Sequence, residues 1–335
     1  MAAAPPFHVS LVAVPGSLSS PITGLYELLT SFPVVADFYE GVPAFSPFAV
    51  EIVGQARSTI TAPSGLPILV QRSIRELERS DIVIVPAMAV ETGKQRRHPE
   101  LAQWMRRMHE RGAILCSACT GLAVLAETGL LDGRQATTHW SFAPSMRQAF
   151  PNIDLCIDEV LVTAGEREEF VMAGGAASWQ DLALYLVERF VGAAASRAVS
   201  KFELLERHAG GQTPYLPFSP RTGHGDSLVR ESQQWLGNHL SMASPVAEMT
   251  RKSGLSMRAF ERRFQRATGY SPIAYVQQAR IDEAKRHLER GDMPIEQISW
   301  EVGYQDAAAF RRLFKRIVRI TPGAYRRKFA LPDPA

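Results

Sequence analysis

The sequence predicts an α/β domain followed by an all-α domain. Up to residue 205, short runs rich in β-branched residues alternate with amphipathic stretches, whereas every patterned stretch after Asp226 has helical periodicity. Near-continuous apolar strands separated by helices are typical of βαβ units, so we expect a mostly parallel sheet with helices on both faces. A length of 335 residues also suggests about two domains.

The predicted strands and helices of the first domain alternate along the chain. The strand-like runs are PFHVSLVAV near the start, DIVIVPA at 81–87, GAILCSA at 112–118 and FVMAGG at 170–175. The amphipathic stretches are 98–112, 121–131 and 178–190. This alternation predicts a flavodoxin-like sheet.

A segment dense in Gly, Pro, Ser and Thr, HAGGQTPYLPFSPRTGHG, separates the two domains. It has no hydrophobic periodicity, which predicts a linker. We therefore expect a first domain at 1–207, a linker at 208–226 and a second domain at 227–335.

Composition and cysteine usage indicate a soluble, cytoplasmic protein with no membrane partner. Hydrophobic residues make up 46% of the chain and charged residues 21%, which allows a packed core. No apolar run reaches the about 18–20 residues that span a bilayer, and the first residues lack the basic start of a signal peptide. Three cysteines are too few for a disulfide framework and fit a reducing cytosol.

Positive charge is concentrated in the second domain. From Asp226 onward the chain holds 19 Lys and Arg against 12 Asp and Glu, whereas the preceding residues hold 18 against 22. This asymmetry favours a polyanionic partner for the second domain alone, although solvated basic faces are also common.

The basic domain contains an internal repeat. The segment GLSMRAFERRF, from Gly254 to Phe264, is echoed by GYQDAAAFRRLF, from Gly303 to Phe314. A Ser-Pro or Thr-Pro pair and then Ala-Tyr follow each copy. Helix starts upstream are offset by 49 residues and the phenylalanines by 50, a one-residue slip that a turn tolerates.

Each copy predicts a helix, a glycine-containing turn and a second helix. Gly254 and Gly303 permit a positive φ in the turns, and Ser256 and Asp306 are suited to cap the helices that follow. The stretch 272–291 between the copies predicts a long, rigid connecting helix. We therefore expect the two second helices to enter successive major grooves about 34 Å apart on one face of DNA.

The outward faces of these second helices are the candidate DNA-reading surface. Arginine pairs bidentately with guanine, and a carboxylate such as that of Glu261 accepts from cytosine. The alternative is a solvated face without a partner, which two copies in one basic domain disfavour. The candidate DNA-binding residues are Ser256, Arg258, Glu261, Arg262, Gln265, Ala307, Ala308, Arg311, Arg312 and Lys315.

Residues 227–329 resemble the AraC-type DNA-binding domain. The resemblance rests on GLSMRAFERRF, TGYSPIAYVQQARIDEAKRHL, IEQISWEVGYQDAAAFRRLFKR and TPGAYRR. It implies base-facing positions at Arg258, Glu261, Arg262, Ala307, Ala308, Arg311 and Arg312. The two alanines offer methyl contacts rather than hydrogen bonds, so the second copy is expected to discriminate less between bases.

In the first domain a strand ends in Cys119-Thr-Gly and turns directly into a helix. This order predicts a nucleophile elbow, in which the helix N-terminus favours a thiolate. A catalytic cysteine needs a base and a third group, and His139 is the candidate base, but no carboxylate stands out. We favour a structural or ligand-binding cysteine. Cys116 completes a C-x-x-C motif, but no second pair supports zinc and strand alternation argues against a redox pair.

The first domain resembles the PfpI-type, glutamine-amidotransferase-like superfamily, in the form that GlxA-like regulators fuse to AraC-type domains. The resemblance rests on CTGLAVLAETGLLDGRQATTHW at 119–140, VPGS at 14–17, Gly24 and Glu27 in GLYELL, Asp181 in SWQDLAL, and GGQTPY at 210–215. In hydrolytic members, histidine follows the cysteine and an acidic residue faces it. Thr120 and Pro21 stand at those positions here, which implies that catalysis is lost and the pocket is kept as a sensor.

The exposed backbone N–H groups after the cysteine suit an anionic or carbonyl group of a ligand. The candidate ligand-binding residues are Gly16, Pro21, Cys119, Thr120, His139 and Trp140. We expect no catalytic residue, no metal site and no cofactor.

These features predict a DNA-binding transcription regulator controlled by a small metabolite, such as an amino-acid-like compound. The resemblance favours a homodimer formed through the first domain, and RNA polymerase is a further candidate partner. Two alternatives stay open: an enzyme that uses Cys119 as nucleophile, and a regulator whose first domain only dimerises.

Overall fold

The computed structural model describes residues 6–89 and 97–330. The predicted domains also include 1–5, 90–96 and 331–335, which lie outside the described residues. The chain divides into two compact units, Met1–Gln212 and Thr213–Ala335. No helix among the described residues is long and apolar enough to cross a membrane.

Among the residues that the structure describes, the first unit contains the strands of one seven-stranded sheet and of two separate two-stranded sheets. They are β1 (Phe7–Val12), β2 (Phe48–Gly54), β3 (Thr59–Thr61), β4 (Pro67–Leu69), β5 (Arg72–Ser73), β6 (Ile82–Val85), β7 (Ile114–Ala118), β8 (Gln135–Ala136), β9 (Asp154–Leu155), β10 (Leu161–Ala164) and β11 (Phe170–Ala173). Within the described residues, the main sheet has the order β10-β11-β7-β6-β1-β2-β5. Its neighbouring strands are parallel except for the antiparallel pair β10 and β11, which confirms the predicted fold class.

Helices cover both faces of this sheet. They are α1 (Ser19–Thr30), α2 (Phe32–Ala36), α3 (Pro99–Glu110), α4 (Leu122–Ala126), α5 (Ala143–Ala149), α6 (Trp179–Phe190) and α7 (Ala193–Phe202). Side chains alternate along each strand, so Leu115 of β7 packs with α3 and α4, while Cys116 packs with α1, α2, α6 and α7. The two apolar layers bury both faces, as a parallel sheet requires.

Helix α4 is shorter than the predicted amphipathic stretch 121–131. It ends at Ala126 because the Thr128 hydroxyl donates to the Leu125 carbonyl at 2.6 Å and accepts from the Leu130 N–H at 3.1 Å. Side-chain bonds of this kind compete with the next helical turn. Gly129 then has a φ of 73°, which turns the chain away.

The second unit is helical, as predicted. Its helices are α8 (Ser227–Gly237), α9 (Pro245–Ser253), α10 (Met257–Thr268), α11 (Pro272–Glu289), α12 (Ile295–Glu301), α13 (Ala307–Val318) and α14 (Pro322–Phe329). Helices α9 and α10 form the first helix-turn-helix and α12 and α13 the second. Both turns have the expected chemistry, because Gly254 and Gly303 have φ values of 66° and 88°. Side chains of Ser256 and Asp306 accept from backbone N–H groups of α10 and α13.

Helix α11 contributes to the cores of both helix-turn-helix units. Tyr275 and Val276, near its start, pack with Phe260 and Phe264 of α10. Further along α11, Ile281, Ala284 and Leu288 pack with Phe310, Phe314 and Val318 in the core of the second helix-turn-helix. The predicted connecting helix is therefore the wall that the two cores share.

Arg280, midway along α11, adds polar contacts that join the loop after α8 to the second helix-turn-helix. Only 6% of this residue is exposed, and its guanidinium donates to the carbonyls of Leu240 at 2.9 Å and Met242 at 2.6 Å. It also lies over the ring of Tyr304, which is 5.0 Å away in the second helix-turn-helix. A side chain at Gly303 would clash with this guanidinium, so the turn requires glycine for space as well as for its φ.

Replacing Arg280 with methionine should destabilise the second unit by about 2–4 kcal/mol, because two hydrogen bonds from a buried, charged guanidinium to the carbonyls of Leu240 and Met242 are lost. The matched control is Arg286→Met on the same helix, where half-exposed ion pairs to Asp282 and Glu283 are lost. That change should cost less than about 1 kcal/mol. Urea unfolding, monitored by hydrogen exchange in α11, measures the loss of unfolding free energy in both variants. Equal losses would contradict a special stabilising role for Arg280.

Candidate functional site

Cys119 occupies a strained turn at the end of β7. Its φ is 54°, and residues Cys119–Gly121 form one turn of 3-10 helix that leads into α4. A Cβ on Gly121 would lie 2.1 Å from the carbonyl oxygen of Val85 and 2.7 Å from that of Pro86. The turn therefore requires glycine at position 121, because it passes directly against the end of β6.

The sulfur of Cys119 faces hydrogen-bond donors rather than a base. The residue is 5% exposed, and this burial raises the pKa of its thiol, an effect that hydrogen bonds from Thr120 and from the His139 backbone partly offset. Backbone N–H groups that converge on one point suit the oxygen of a carboxylate or a carbonyl. The thiol itself stays protonated at neutral pH, because the thiolate is the disfavoured form.

The imidazole of His139 is directed to Ser141. Its Nδ1 lies 2.8 Å from the Ser141 hydroxyl and accepts the Ser141 backbone N–H at 3.3 Å. Burial lowers the pKa of this half-buried ring, which favours the neutral form. The ring also packs beside Trp140, with centroids 5.3 Å apart. The backbone of His139, and not its side chain, is thus the part bonded to Cys119.

Thr120 stands at the position where the resemblance implies histidine in hydrolytic members, and its hydroxyl bonds to the backbone of Met88. It donates to the Met88 carbonyl at 2.6 Å and accepts the Met88 N–H at 2.8 Å. The same loop bonds to Gly16, whose carbonyl accepts the Ala89 N–H at 2.8 Å. Gly16 has a φ of 96°, which favours glycine in this turn. Thr120 therefore joins the turn at Cys119 to the loop that bonds to Gly16.

The structure brings together five of the six predicted pocket residues through these contacts and through chain neighbours. Pro21 is buried in the first turn of α1 and has no group that could act as an acid. Among the described residues, no group of three or more His, Cys, Asp or Glu side chains could hold a metal ion.

Other motif residues of the first unit have structural partners. A Cβ on Gly24 would clash with the Trp179 ring at 2.3 Å. Asp181 accepts from the His208 backbone at 3.0 Å and lies 2.7 Å from its imidazole Nδ1. These contacts pin α1 and the chain after α7 onto α6.

Helices α10 and α13 present the predicted DNA-reading faces. Ser256, Arg258, Glu261, Arg262, Gln265, Ala308, Arg311, Arg312 and Lys315 are exposed, and Ala307 is half-buried. The phenylalanines of both helices are fully buried, so the arginine-rich faces point away from the core.

Ion pairs hold some of the arginines around these faces. Arg263 of α10 makes a bidentate bond to Asp226, at 2.7 and 3.1 Å, and this bond lowers the pKa of Asp226. Asp226 also caps α8. In the second copy Arg311 pairs with Glu296 of α12, and Arg312 lies 3.8 Å from Asp306. The sequence did not indicate a role for Glu296. Aligning the repeats places Ala247 at the equivalent position of the first copy, so the carboxylate is a difference between the two copies.

Both units match known families. Residues 34–194 match the DJ-1/PfpI family, and residues 249–328 match a helix-turn-helix domain family. The chain is 27% identical to the HTH-type transcriptional regulator CdhR of Pseudomonas aeruginosa over 82% of this chain and 81% of that protein. It is 26% identical to the regulator GlxA of Rhizobium meliloti over 67% of this chain and 68% of GlxA.

Two further similarities are to a solved structure and to an enzyme. A putative transcriptional regulator from Vibrio parahaemolyticus has a crystal structure that covers 59% of this chain and 98% of its own, with a TM-score of 0.51 and 22% identity. Isonitrile hydratase of Pseudomonas putida is 24% identical over 68% of this chain and 89% of the hydratase. The proteins similar to this chain therefore include both regulators and an enzyme.

The chain therefore joins a domain that matches the DJ-1/PfpI family to a helix-turn-helix domain, and it is similar over most of its length to HTH-type transcriptional regulators. The resemblance to GlxA-like regulators that the sequence indicated is thereby confirmed.

Alkylation by iodoacetamide should show that Cys119 is not an activated nucleophile. Because burial raises the thiol pKa, the rate should stay low at pH 7 and rise only above the ordinary pKa of a thiol. A Cys156→Ser background removes the half-exposed cysteine, and mass spectrometry locates the adduct. A rate midpoint at or below pH 7 would instead support the enzyme alternative.

Proposed function

We propose that the protein binds operator DNA through α10 and α13 and that a small metabolite in the Cys119 pocket controls this binding. The observation that carries the DNA part is the duplicated, capped helix-turn-helix with an exposed arginine-bearing face on each copy, joined by one shared helix. Two such faces suit successive major grooves of one duplex.

The proposed DNA contacts are those that the sequence indicated. Arg258, Glu261 and Arg262 would contact bases in the first groove, with Ser256 and Gln265 at the ends of the same face. Ala307, Ala308, Arg311, Arg312 and Lys315 would take the second groove. Because Arg311 is already paired with Glu296, the second copy would contribute more to phosphate contact and less to base discrimination.

The proposed pocket lies at Gly16, Pro21, Cys119, Thr120, His139 and Trp140. Its converging N–H groups favour a ligand with a carboxylate or carbonyl oxygen, which an amino-acid-like metabolite offers. Lack of catalysis is supported by three features together: a protonated thiol, an imidazole bonded to Ser141 and a Thr120 hydroxyl bonded to Met88.

The wider assignment completes this proposal. Residues 1–207 would sense the metabolite and form a homodimer, 208–226 would link the domains, and 227–335 would bind DNA and present the complex to RNA polymerase in the cytoplasm. For the metabolite to control DNA binding, its affinity must differ between the arrangement of the protein that binds DNA and the arrangement that does not.

Arg262→Ala should weaken specific DNA binding by about 1–3 kcal/mol and relax the preference at one base pair, because a bidentate contact to guanine is lost. Arg57→Ala, which removes an exposed arginine of the first unit, should leave the affinity unchanged. Fluorescence anisotropy on a set of single-base operator variants measures both effects. Uniform weakening on every sequence would make Arg262 a phosphate contact instead.

Metabolite control is tested by a thermal-shift screen of amino acids and other small carboxylates. A true ligand at about 100 times its Kd should stabilise the first unit by about 2.7 kcal/mol. It should also change operator affinity by about 5- to 150-fold. Cys119→Met, which fills the pocket, should abolish both effects, whereas Cys156→Ser should keep them. If no compound stabilises the protein, a first domain that only dimerises is favoured, whereas equal stabilisation of both variants would place the ligand away from Cys119.

A further inference from the structure

Gln212 is a buried amide at the last position of the first unit. It is 2% exposed, and its side chain makes four hydrogen bonds to the chain around the pocket. Its Nε2 donates to the Thr138 carbonyl at 2.9 Å, the Glu159 carbonyl at 3.1 Å and the Thr137 hydroxyl at 3.2 Å. Its Oε1 accepts the Trp140 N–H at 3.3 Å. An amide is buried at little cost only when it is satisfied in this way.

These partners enclose the residue that borders Cys119. Thr138 and Trp140 lie on either side of His139 in the chain, and the His139 backbone offsets part of the rise in the pKa of the Cys119 thiol. The Thr138 hydroxyl donates to the Cys119 carbonyl at 2.8 Å. The segment 138–140 is therefore bonded to Cys119 on one side and to Gln212 on the other.

The fold leaves a fitted space for this amide. A Cβ on Gly174, at the end of β11, would lie 2.2 Å from the Gln212 Nε2 and 3.1 Å from the Thr137 hydroxyl. The backbone N–H of Gln212 adds a bond to the Asp158 carbonyl at 2.9 Å. The end of the first unit is thus fixed by the backbone of the pocket wall.

We infer that Gln212 is a positioning residue that couples the Cys119 pocket to the point where the chain leaves the first unit. A ligand that moves the His139 backbone has to strain or strengthen the bonds that Thr138 and Trp140 make with Gln212. The free energy of such coupling is reciprocal, so changes at Gln212 also act on the pocket. This inference deepens the proposed function, and its regulatory meaning rests on that function.

Hydrogen exchange of the full chain tests the coupling without a ligand. Gln212→Ala should accelerate exchange at least about tenfold in residues 138–141 and 209–212, while α10 and α13 keep the wild-type rates. Gly174→Ala leaves Gln212 in place but displaces its amide, so it should give the same pattern. Glu206→Ala, at an exposed position of the same segment, is the matched control and should change neither region.

The reciprocal experiment begins at the pocket. Thr138→Val removes the bond to the Cys119 carbonyl and should accelerate exchange in 209–212, whereas Thr138→Ser keeps the hydroxyl and should restore the wild-type rate. If Gln212→Ala affects only 209–212, or if Thr138→Val leaves that segment unchanged, Gln212 is a local anchor and the inference is wrong. Either result leaves metabolite binding, which the thermal-shift screen measures, untouched as a separate question.

Discussion

The spacing of the two DNA-reading helices depends on one buried cation. Arg280 is bonded to the carbonyls that follow α8 and lies over Tyr304 in the second turn, so it joins both helix-turn-helix units through α11. Two helices read successive grooves only when the distance between them is fixed before DNA arrives, because flexibility would have to be lost on binding. Burying a guanidinium is costly when it has no hydrogen-bond partners, so Arg280 is stable only where these two carbonyls accept from it.

In the first unit, Cys119 lies in a strained turn between a strand and a helix, which is the geometry of a nucleophile elbow. The tight passage of Gly121 against β6 keeps Cys119 in its strained turn, and the N–H groups around the sulfur stay in place. The Thr120 hydroxyl donates to the Met88 carbonyl, and the His139 imidazole is bonded to Ser141. The elbow is therefore present, while the imidazole is directed to Ser141 rather than to the thiol.

Local chemistry made much of this structure predictable. The repeat, the turn glycines and the caps at Ser256 and Asp306 all lie within a few residues of the features they determine. Strands β2 to β5 and β8 to β10 were not predicted, because they are short or, like β2, carry a charged residue such as Glu51 in an apolar run. The roles of Gln212 and Arg280 were not predictable either, since their bonding partners lie 38 to 75 residues away along the chain.

The most direct test of the account is a hydroxyl-radical footprint of the full chain on DNA from its own promoter region. The structure predicts, for each bound chain, two protected patches on one face of the duplex, with centres about one helical turn, or 10–10.5 base pairs, apart. A single patch, or no protection of any duplex at low salt, would contradict the claim that α10 and α13 read DNA together.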